Sequence, residues 1–276
     1  MLDKMNDAEK AGLFTLLVLA LGIGFSLVPG MSSTLYMFTP MLAALLMMLA
    51  FTKDGYRKEG WKKLGLHKLG LRGWPFALLV PIAPLALSYL AAWGFGLSEW
   101  RVPDKLLGFE WTAAPIVLIV VYIKSVLFES LGEELGWRGY MLPRLMKMGE
   151  RRATLLNGLV HGVWHAPIIL NTSEYHAGEN VWVLFPLMLL STMFLAPVIG
   201  RLRLKTGSVW TASMMHTTHN LVWAVLAELW VNRSDAASWI SGDMSLVVTL
   251  FYMGLTLWMW RKPRASREAQ AAQAAA

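Results

Sequence analysis

Apolar residues occur along this chain in long runs that short polar segments separate. Eight such runs lie at roughly 11–28, 35–51, 74–95, 111–145, 153–170, 182–200, 208–229 and 244–260. At a rise of about 1.5 Å per residue, a helix of about 20 residues crosses the roughly 30 Å hydrocarbon core of a bilayer. The pattern therefore predicts an all-α polytopic bundle of about eight transmembrane helices.

The fourth run is too long for one straight crossing. We expect its helix to tilt, to kink, or to continue as an amphipathic stretch past Pro143. The first run follows a weakly acidic leader and lacks a basic n-region, so we expect a retained helix rather than a signal peptide. No repeat or linker divides the chain. We expect one transmembrane domain over residues 1–266 and a flexible, Ala/Gln-rich tail over 267–276.

The composition supports a membrane protein, since 56% of the residues are hydrophobic and only 16% are charged. The net charge of +7 does not indicate nucleic acid, because the basic residues lie in short loops between apolar runs. Membrane lipids are the expected partner. The absence of cysteine from the sequence excludes a disulfide framework, a thiol nucleophile and a thiolate metal site.

Basic residues also predict the topology, because cytoplasmic loops carry the excess of Lys and Arg. Of the 25 basic residues, 18 follow even-numbered runs: Lys53, Arg57, Lys58, Lys62, Lys63, Lys68, Arg72, Arg144, Lys147, Arg151, Arg152, Arg201, Arg203, Lys205, Arg261, Lys262, Arg264 and Arg267. Both termini are therefore expected on the inner side. We expect a multi-pass protein of a bacterial cytoplasmic membrane.

Three of the predicted helices carry polar groups that a bilayer disfavours. An ionised side chain at mid-depth costs roughly 2.5–3.5 kcal/mol, so it normally pairs inward, lines a wet cavity or performs chemistry. Counting about 1.5 Å per residue places three of these groups about 14–18 Å from the inner ends of their helices. We therefore expect a shared site among Glu133, Glu134, Arg138, His161, His165, His216 and Asn220.

The first group lies on the fourth predicted helix. Glu134 and Arg138 are spaced i, i+4, as an ion pair within one helix requires. Glu129 and Glu133 have the same spacing, and two stacked carboxylates suit one of them, Glu133, to act as a general base. Lys124 has no i, i+4 partner, so we expect it to pair across helices or to line water.

The histidines of the fifth and seventh helices have different expected functions. Pro167 can open the helix beside His165, and His161 one turn earlier completes a spacing that metal sites use, although a core role for His161 stays open. His216 and Asn220 are spaced to donate hydrogen bonds to an oxyanion. His219 is expected to bond another helix.

Three motifs in order resemble the CPBP family of CAAX proteases and bacteriocin-processing enzymes. They are Glu-Glu-Leu-Gly-Trp-Arg-Gly-Tyr at 133–140, Val-Trp-His-Ala-Pro at 163–167 and His-Thr-Thr-His-Asn at 216–220. The resemblance covers about residues 122–222, within the type II CAAX prenyl endopeptidase group. One departure is His161, which occupies the position of a phenylalanine that is usual in the family.

The resemblance implies an intramembrane endopeptidase with a cytosol-facing cavity. It implies that Glu133 and His165 activate water, that His216 and Asn220 stabilise the oxyanion, and that Glu134 and Arg138 support them. It leaves open whether zinc, held by Glu133, His165 and His216, takes part. The implied substrate is a small peptide or a membrane-associated, possibly prenylated, protein.

Two rival interpretations remain at this point. A binding or immunity protein on the same scaffold would sequester a partner without cleaving it, although binding alone does not require the full polar set. A transporter would use buried ionisable groups to relay protons, but the repeat-related broken helices of many transporters are not evident in the sequence.

Overall fold

The computed structural model describes residues 4–173, 175–176 and 180–261, so the predicted tail at 267–276 lies outside the described residues. The described part is 75% helical. Its α-helices are α1 (Asp7–Ser26), α2 (Ser33–Tyr36), α3 (Thr39–Leu46), α4 (Lys58–Leu64), α5 (Trp74–Leu79), α6 (Ile82–Gly94), α7 (Ala114–Leu127), α8 (Glu129–Glu134), α9 (Leu142–Leu145), α10 (Glu150–Trp164), α11 (Ala166–Asn171), α12 (Val181–Thr206), α13 (Val209–Leu229), α14 (Ala237–Ile240) and α15 (Leu246–Arg261).

Six helical stretches in the described ranges are long and apolar enough to cross a membrane. They are Asp7–Ser26, Ser33–Phe51, Leu71–Gly94, Ala114–Met148, Glu150–Asn171 and Val181–Thr206. These stretches match the first six predicted runs, and the all-helical polytopic bundle is confirmed. The helices α13 and α15 occupy the last two runs, but α13 is rich in polar residues and α15 has only 16 residues. The count of eight crossings stays a prediction.

The long fourth stretch kinks at Phe128, where α7 meets α8. Phe128 has φ −125° and ψ −77°, outside the helical region. Before this residue α7 is largely exposed, and after it the chain is largely buried through a π-helical segment, Leu135–Met141, into α9. The kink therefore brings the carboxylates that follow it into the centre of the bundle. Of the outcomes expected for this run, the structure shows a kink, and Pro143 lies in the first turn of α9.

The core beside the site contains large aromatic rings. Phe14 of α1 packs edge-on against Trp137, with ring centroids 5.8 Å apart, and lies 5.2 Å from the ring of Tyr140. The helix α1 is fixed at its start by a capping box between Asn6 and Glu9. The first span therefore packs against the π-helical segment that carries Trp137 and Tyr140.

The helix α10, which carries His161, lies very close to α12. A Cβ atom added at Gly158 would lie 2.5 Å from the carbonyl oxygen of Thr192 and 2.8 Å from the Cβ of Ala196. Only a glycine permits this contact, because both neighbours belong to the facing helix. The backbone of α10 is thus held against α12 about one turn before His161 and about two turns before His165.

A two-stranded antiparallel sheet lies at the end of the bundle that the charge pattern places outside. Strand β1 (Ser98–Trp100) pairs with β2 (Trp230–Asn232), and Arg233 forms an ion pair with Glu99. The sheet joins the loop after α6 to the end of α13. No strand was expected here from the sequence.

An ion-pair cluster lies at the opposite end. Asp54, in the segment between the second span and α4, accepts hydrogen bonds from Lys10 of α1 at 2.9 Å and from Arg144 of α9 at 2.7 Å. Burial raises the pKa of Asp54, but the two cations together lower it by more than burial raises it. The pKa therefore lies below its ordinary value. This carboxylate therefore joins three segments at the predicted inner surface.

Candidate active site

A cavity of about 100 Å³ lies in the bundle and is lined by the four predicted catalytic side chains. Glu133 comes from α8, His165 from the junction of α10 and α11, and His216 and Asn220 from α13. The space holds a few water molecules at about 30 Å³ each. The structure thus brings together residues that are separated by up to 87 positions in the chain.

Glu133 is 2% exposed and bonds to the histidine that departs from the family motif. Its Oε2 lies 2.9 Å from Nε2 of His161, and Nδ1 of the same ring lies 3.5 Å from Nη1 of Arg138. Because arginine can only donate, Nδ1 of His161 accepts and Nε2 donates its proton to Glu133. His161 therefore holds the carboxylate in one orientation.

His165 lies at a break in its helix, as the position of Pro167 predicts. The helix α10 ends at Trp164 and α11 begins at Ala166. The backbone N–H of His165 donates to the carbonyl of Gly162 rather than to that of His161. The carbonyl of His161 accepts a hydrogen bond of 3.0 Å from Nδ1 of the His165 ring. That bond places the ring proton on Nδ1 and leaves the lone pair of Nε2 available.

His216 is oriented by the second glutamate of the first motif. Its Nδ1 lies 3.0 Å from Oε1 of Glu134, and the same oxygen accepts a 2.8 Å hydrogen bond from Nη1 of Arg138. Glu134 and Arg138 are both buried, and their i, i+4 ion pair agrees with the sequence prediction. Arg138 thus contacts two of the residues that orient the site, Glu134 and His161.

Glu129 does not act as expected from its spacing to Glu133. Its Oε1 forms a 2.7 Å ion pair with Nζ of Lys124. Because the helix kinks at Phe128 between them, a lysine and a glutamate five positions apart face each other. Glu129 is therefore the partner of Lys124, which has none at i, i+4, and the hydrogen-bond partner of Glu133 is His161 rather than a second carboxylate.

His219 and three residues that the sequence analysis did not select complete the cavity wall. His219 bonds Tyr252 of α15 at 3.1 Å, in agreement with its predicted interhelical bond. Tyr36, Tyr175 and Asp243 also line the cavity. Tyr36 donates a 2.5 Å hydrogen bond to the carbonyl of Trp164, and Tyr175 donates one of 3.2 Å to Asp243. These tyrosines and the aspartate carry no periodic signal in the sequence.

One group of the described residues has the composition of a metal site. Ligand atoms of Glu133, His161 and His165 lie within 4.8 Å of one another. One carboxylate with two imidazoles is a donor set of catalytic zinc sites. The hydrogen bond from Nδ1 of His165 to a carbonyl is the outer contact that such ligands make. His216, the third ligand considered from the sequence, is not part of this group and bonds Glu134 instead.

Comparisons with known proteins agree with the motifs. A family model described as type II CAAX prenyl endopeptidase Rce1-like matches residues 112–222. A protein of Methanococcus maripaludis named CAAX prenyl protease 2 is 26% identical over 114 residues, which are 39% of this chain and 40% of the archaeal protein. The matched segment contains all four predicted catalytic residues. Residues 112–222 are therefore similar to the Rce1-like group of type II CAAX prenyl endopeptidases, and the match to the archaeal protein spans 40% of that protein's length.

Proposed function

We propose that this protein is an intramembrane endopeptidase that hydrolyses a peptide bond by a water molecule that Glu133 and His165 activate. The observation that carries the proposal is the convergence of Glu133, His165, His216 and Asn220 on one cavity within the helical bundle. A buried carboxylate, imidazoles and a carboxamide are the groups that hydrolysis requires, and a site for binding alone does not require all of them.

Glu133 is the proposed general base. One oxygen is held by His161, and the other is left to take a proton from water as the water oxygen bonds to the scissile carbonyl carbon. The lone pair on Nε2 of His165 orients the same water. When the C–N bond breaks, Glu133 returns the proton to the leaving nitrogen, so each proton is accounted for.

His216 and Asn220 are the proposed oxyanion donors. Asn220 donates through its side-chain N–H₂ group, which carries no formal charge. His216 already directs its Nδ1 proton to Glu134, so it donates to the oxyanion through Nε2 in its imidazolium form. The carboxylate of Glu134 lies against that ring and stabilises its charge.

A bound zinc ion is compatible with this site. Glu133, His161 and His165 would hold it. A zinc ion held there would polarise the scissile carbonyl and activate water. The proposal for this chain's own residues does not depend on the ion, because the hydrogen bonds described above already orient Glu133 and His165.

The proposed substrate is a membrane-associated peptide or protein, either lipidated near its C-terminus or a small peptide. The support is the position of the cavity within the helical bundle, together with the family match. The archaeal relative is named a prenyl protease, which makes a prenylated C-terminus the first substrate to test. Within the cell, the proposed site is a bacterial cytoplasmic membrane with the cavity facing the cytosol.

The experiment is cleavage of a prenylated and a plain peptide of the same sequence by purified protein in nanodiscs, with new termini detected by mass spectrometry. We expect Glu133→Gln to remove cleavage, since the amide keeps the volume and hydrogen bonding of the carboxylate but cannot accept the proton. Glu99→Gln at the outer sheet is the matched control and retains full activity. Cleavage by Glu133→Gln at the wild-type rate, or peptide binding by the wild type without new termini, contradicts the proposal.

A further inference from the structure

A second cleft, of about 400 Å³, lies where three spans end at the predicted inner surface. It is bounded by the start of the third span, the last turns of α12 and the end of α15. Its cationic lining residues are Arg72, Arg201 and Lys205, and its apolar ones include Phe76, Leu202 and Trp258. The cations at the rim suit the phosphate group of a phospholipid, and the apolar side chains between the helices suit its acyl chains.

The charge of this cleft is of one sign. No acidic residue lines it in the described part of the chain. Arg201 is held in place by a 2.7 Å hydrogen bond from its Nη1 to the carbonyl of Met259, which leaves its other N–H groups for a ligand. Arg72 and Lys205 are exposed beside it. Three cations without a lining carboxylate form a site for a phosphate group.

The apolar walls distinguish a lipid from a free anion. Phe76 and Trp258 are exposed large hydrophobic side chains next to the cations. A free phosphate gains nothing from such surfaces, whereas an acyl chain packs against them. Because the charge pattern places this end of α12 at the inner surface, the cations lie at the level of the headgroups of that leaflet.

We propose that this cleft binds an anionic phospholipid, with its phosphate at Arg72, Arg201 and Lys205 and an acyl chain along Phe76 and Trp258. The cleft is separate from the candidate active site. The two share no lining residue, although both use α12, with Ile199 facing the active-site cavity and Val198 facing this cleft. The proposal therefore holds whether or not the protein is a peptidase.

The test measures lipid binding to the purified full chain by native mass spectrometry in detergent. The probes are phosphatidylglycerol, phosphatidylcholine with the same acyl chains, and inorganic phosphate. The test variant is Arg72→Gln with Lys205→Gln, and the single variant Lys205→Gln is measured beside it. The matched control is Lys62→Gln with Lys63→Gln, which removes the same charge from exposed positions of α4. A thermal unfolding curve of each variant verifies its fold.

We expect the wild type to bind phosphatidylglycerol more tightly than phosphatidylcholine. Each cation near an anionic headgroup contributes about 1 kcal/mol, so the double variant should bind phosphatidylglycerol about thirtyfold more weakly. The single variant should show an intermediate loss and the control almost none. Equal binding of the two lipids, equal losses in the double variant and the control, or displacement of the lipid by millimolar inorganic phosphate would overturn the proposal.

Discussion

Three histidine rings around the cavity have their protons placed by different partners. His161 donates to a carboxylate, His165 to a backbone carbonyl and His216 to the second glutamate of the first motif. Arg138 contributes to two of these arrangements, since it contacts both Glu134 and His161. Arg138 therefore contacts the residues that orient two of the three rings, although it is not among the residues that line the cavity.

The first residue-scale prediction concerns the oxyanion. Removing the Asn220 donor with Asn220→Ala should lower kcat by roughly 10² to 10³, since a single oxyanion donor typically contributes that much. The fold should be retained, because Asn220 lies at the cavity wall and is only partly buried. Peptide cleavage at saturating substrate measures the effect. Asn171→Ala, which removes a hydrogen bond to Ser26 away from the cavity, is the control. An undiminished kcat for Asn220→Ala would refute the assigned role.

The second residue-scale prediction concerns His161. His161→Phe keeps a ring of similar size but removes the donor to Glu133, so kcat should fall at least about tenfold with KM little changed. His67→Phe makes the same substitution at an exposed position and should have no effect. Zinc analysis of both purified proteins identifies His161 as a ligand if only His161→Phe loses metal. Wild-type kcat in His161→Phe would show that the ring only fills space.

Single residues were predicted from the sequence where the interaction lies within one helix. The pair of Glu134 with Arg138 follows from i, i+4 spacing alone. The bond of Glu133 to His161 joins two helices, and no spacing rule relates positions on separate helices. The sequence therefore selected Glu133 correctly as a residue of the cavity but assigned it Glu129 as a neighbour.

At the scale of elements, the kink at Phe128 has the largest effect on the site. It separates the exposed helix α7 from the buried helix α8 and turns Glu129 towards Lys124. An apolar residue within an apolar run carries no signal for a kink, whereas Pro143 does. The length of this run therefore predicts that the span tilts, kinks or continues past Pro143, but it does not predict the residue at which the kink lies.

Helix packing gives a prediction at the same scale. Gly158→Ala should destabilise the fold by about 1–3 kcal/mol, because the new Cβ would collide with the backbone of α12. Thermal unfolding in detergent measures the change. Gly12→Ala on α1 is the control, since no atom lies within 4 Å of its added Cβ. Alanine also favours a helix over glycine, so the control should be neutral or slightly more stable. A Gly158→Ala variant as stable as the control would show that α10 and α12 can separate freely.

For the molecule as a whole, the hydrophobic runs predicted the all-helical architecture, and the orientation that the charges indicate stays a prediction. Both signals come from the lipid environment, which acts on composition rather than on particular contacts. The small sheet of β1 and β2 was not predicted, because strands of three residues are too short for a periodic pattern. Tyr175 and Asp243 of the cavity wall lie outside the helices and strands. They were not predicted either, because loop residues follow no periodic pattern in the sequence.

The stability of the whole bundle should depend on pH through Asp54. Because the pKa of Asp54 is lowered in the folded protein, its contribution to stability is present at neutral pH and is lost as the pH falls through that lowered value. The unfolding temperature of the wild type should therefore fall more steeply on acidification than that of Asp54→Asn. At neutral pH the variant should be the less stable of the two, since Lys10 and Arg144 lose their shared partner. Parallel pH profiles for the two proteins would contradict this assignment.

The small volume of the site cavity has a consequence for how fast the proposed enzyme works. About 100 Å³ holds water and the scissile part of a substrate but not a whole peptide carrying a prenyl group, so the rest of such a substrate lies outside the cavity, among the acyl chains that surround the helices. The rate of turnover would then follow the fluidity of the host bilayer. A cell that stiffens its membrane on heating or loosens it on cooling would thereby adjust this proteolysis without changing the amount of the protein.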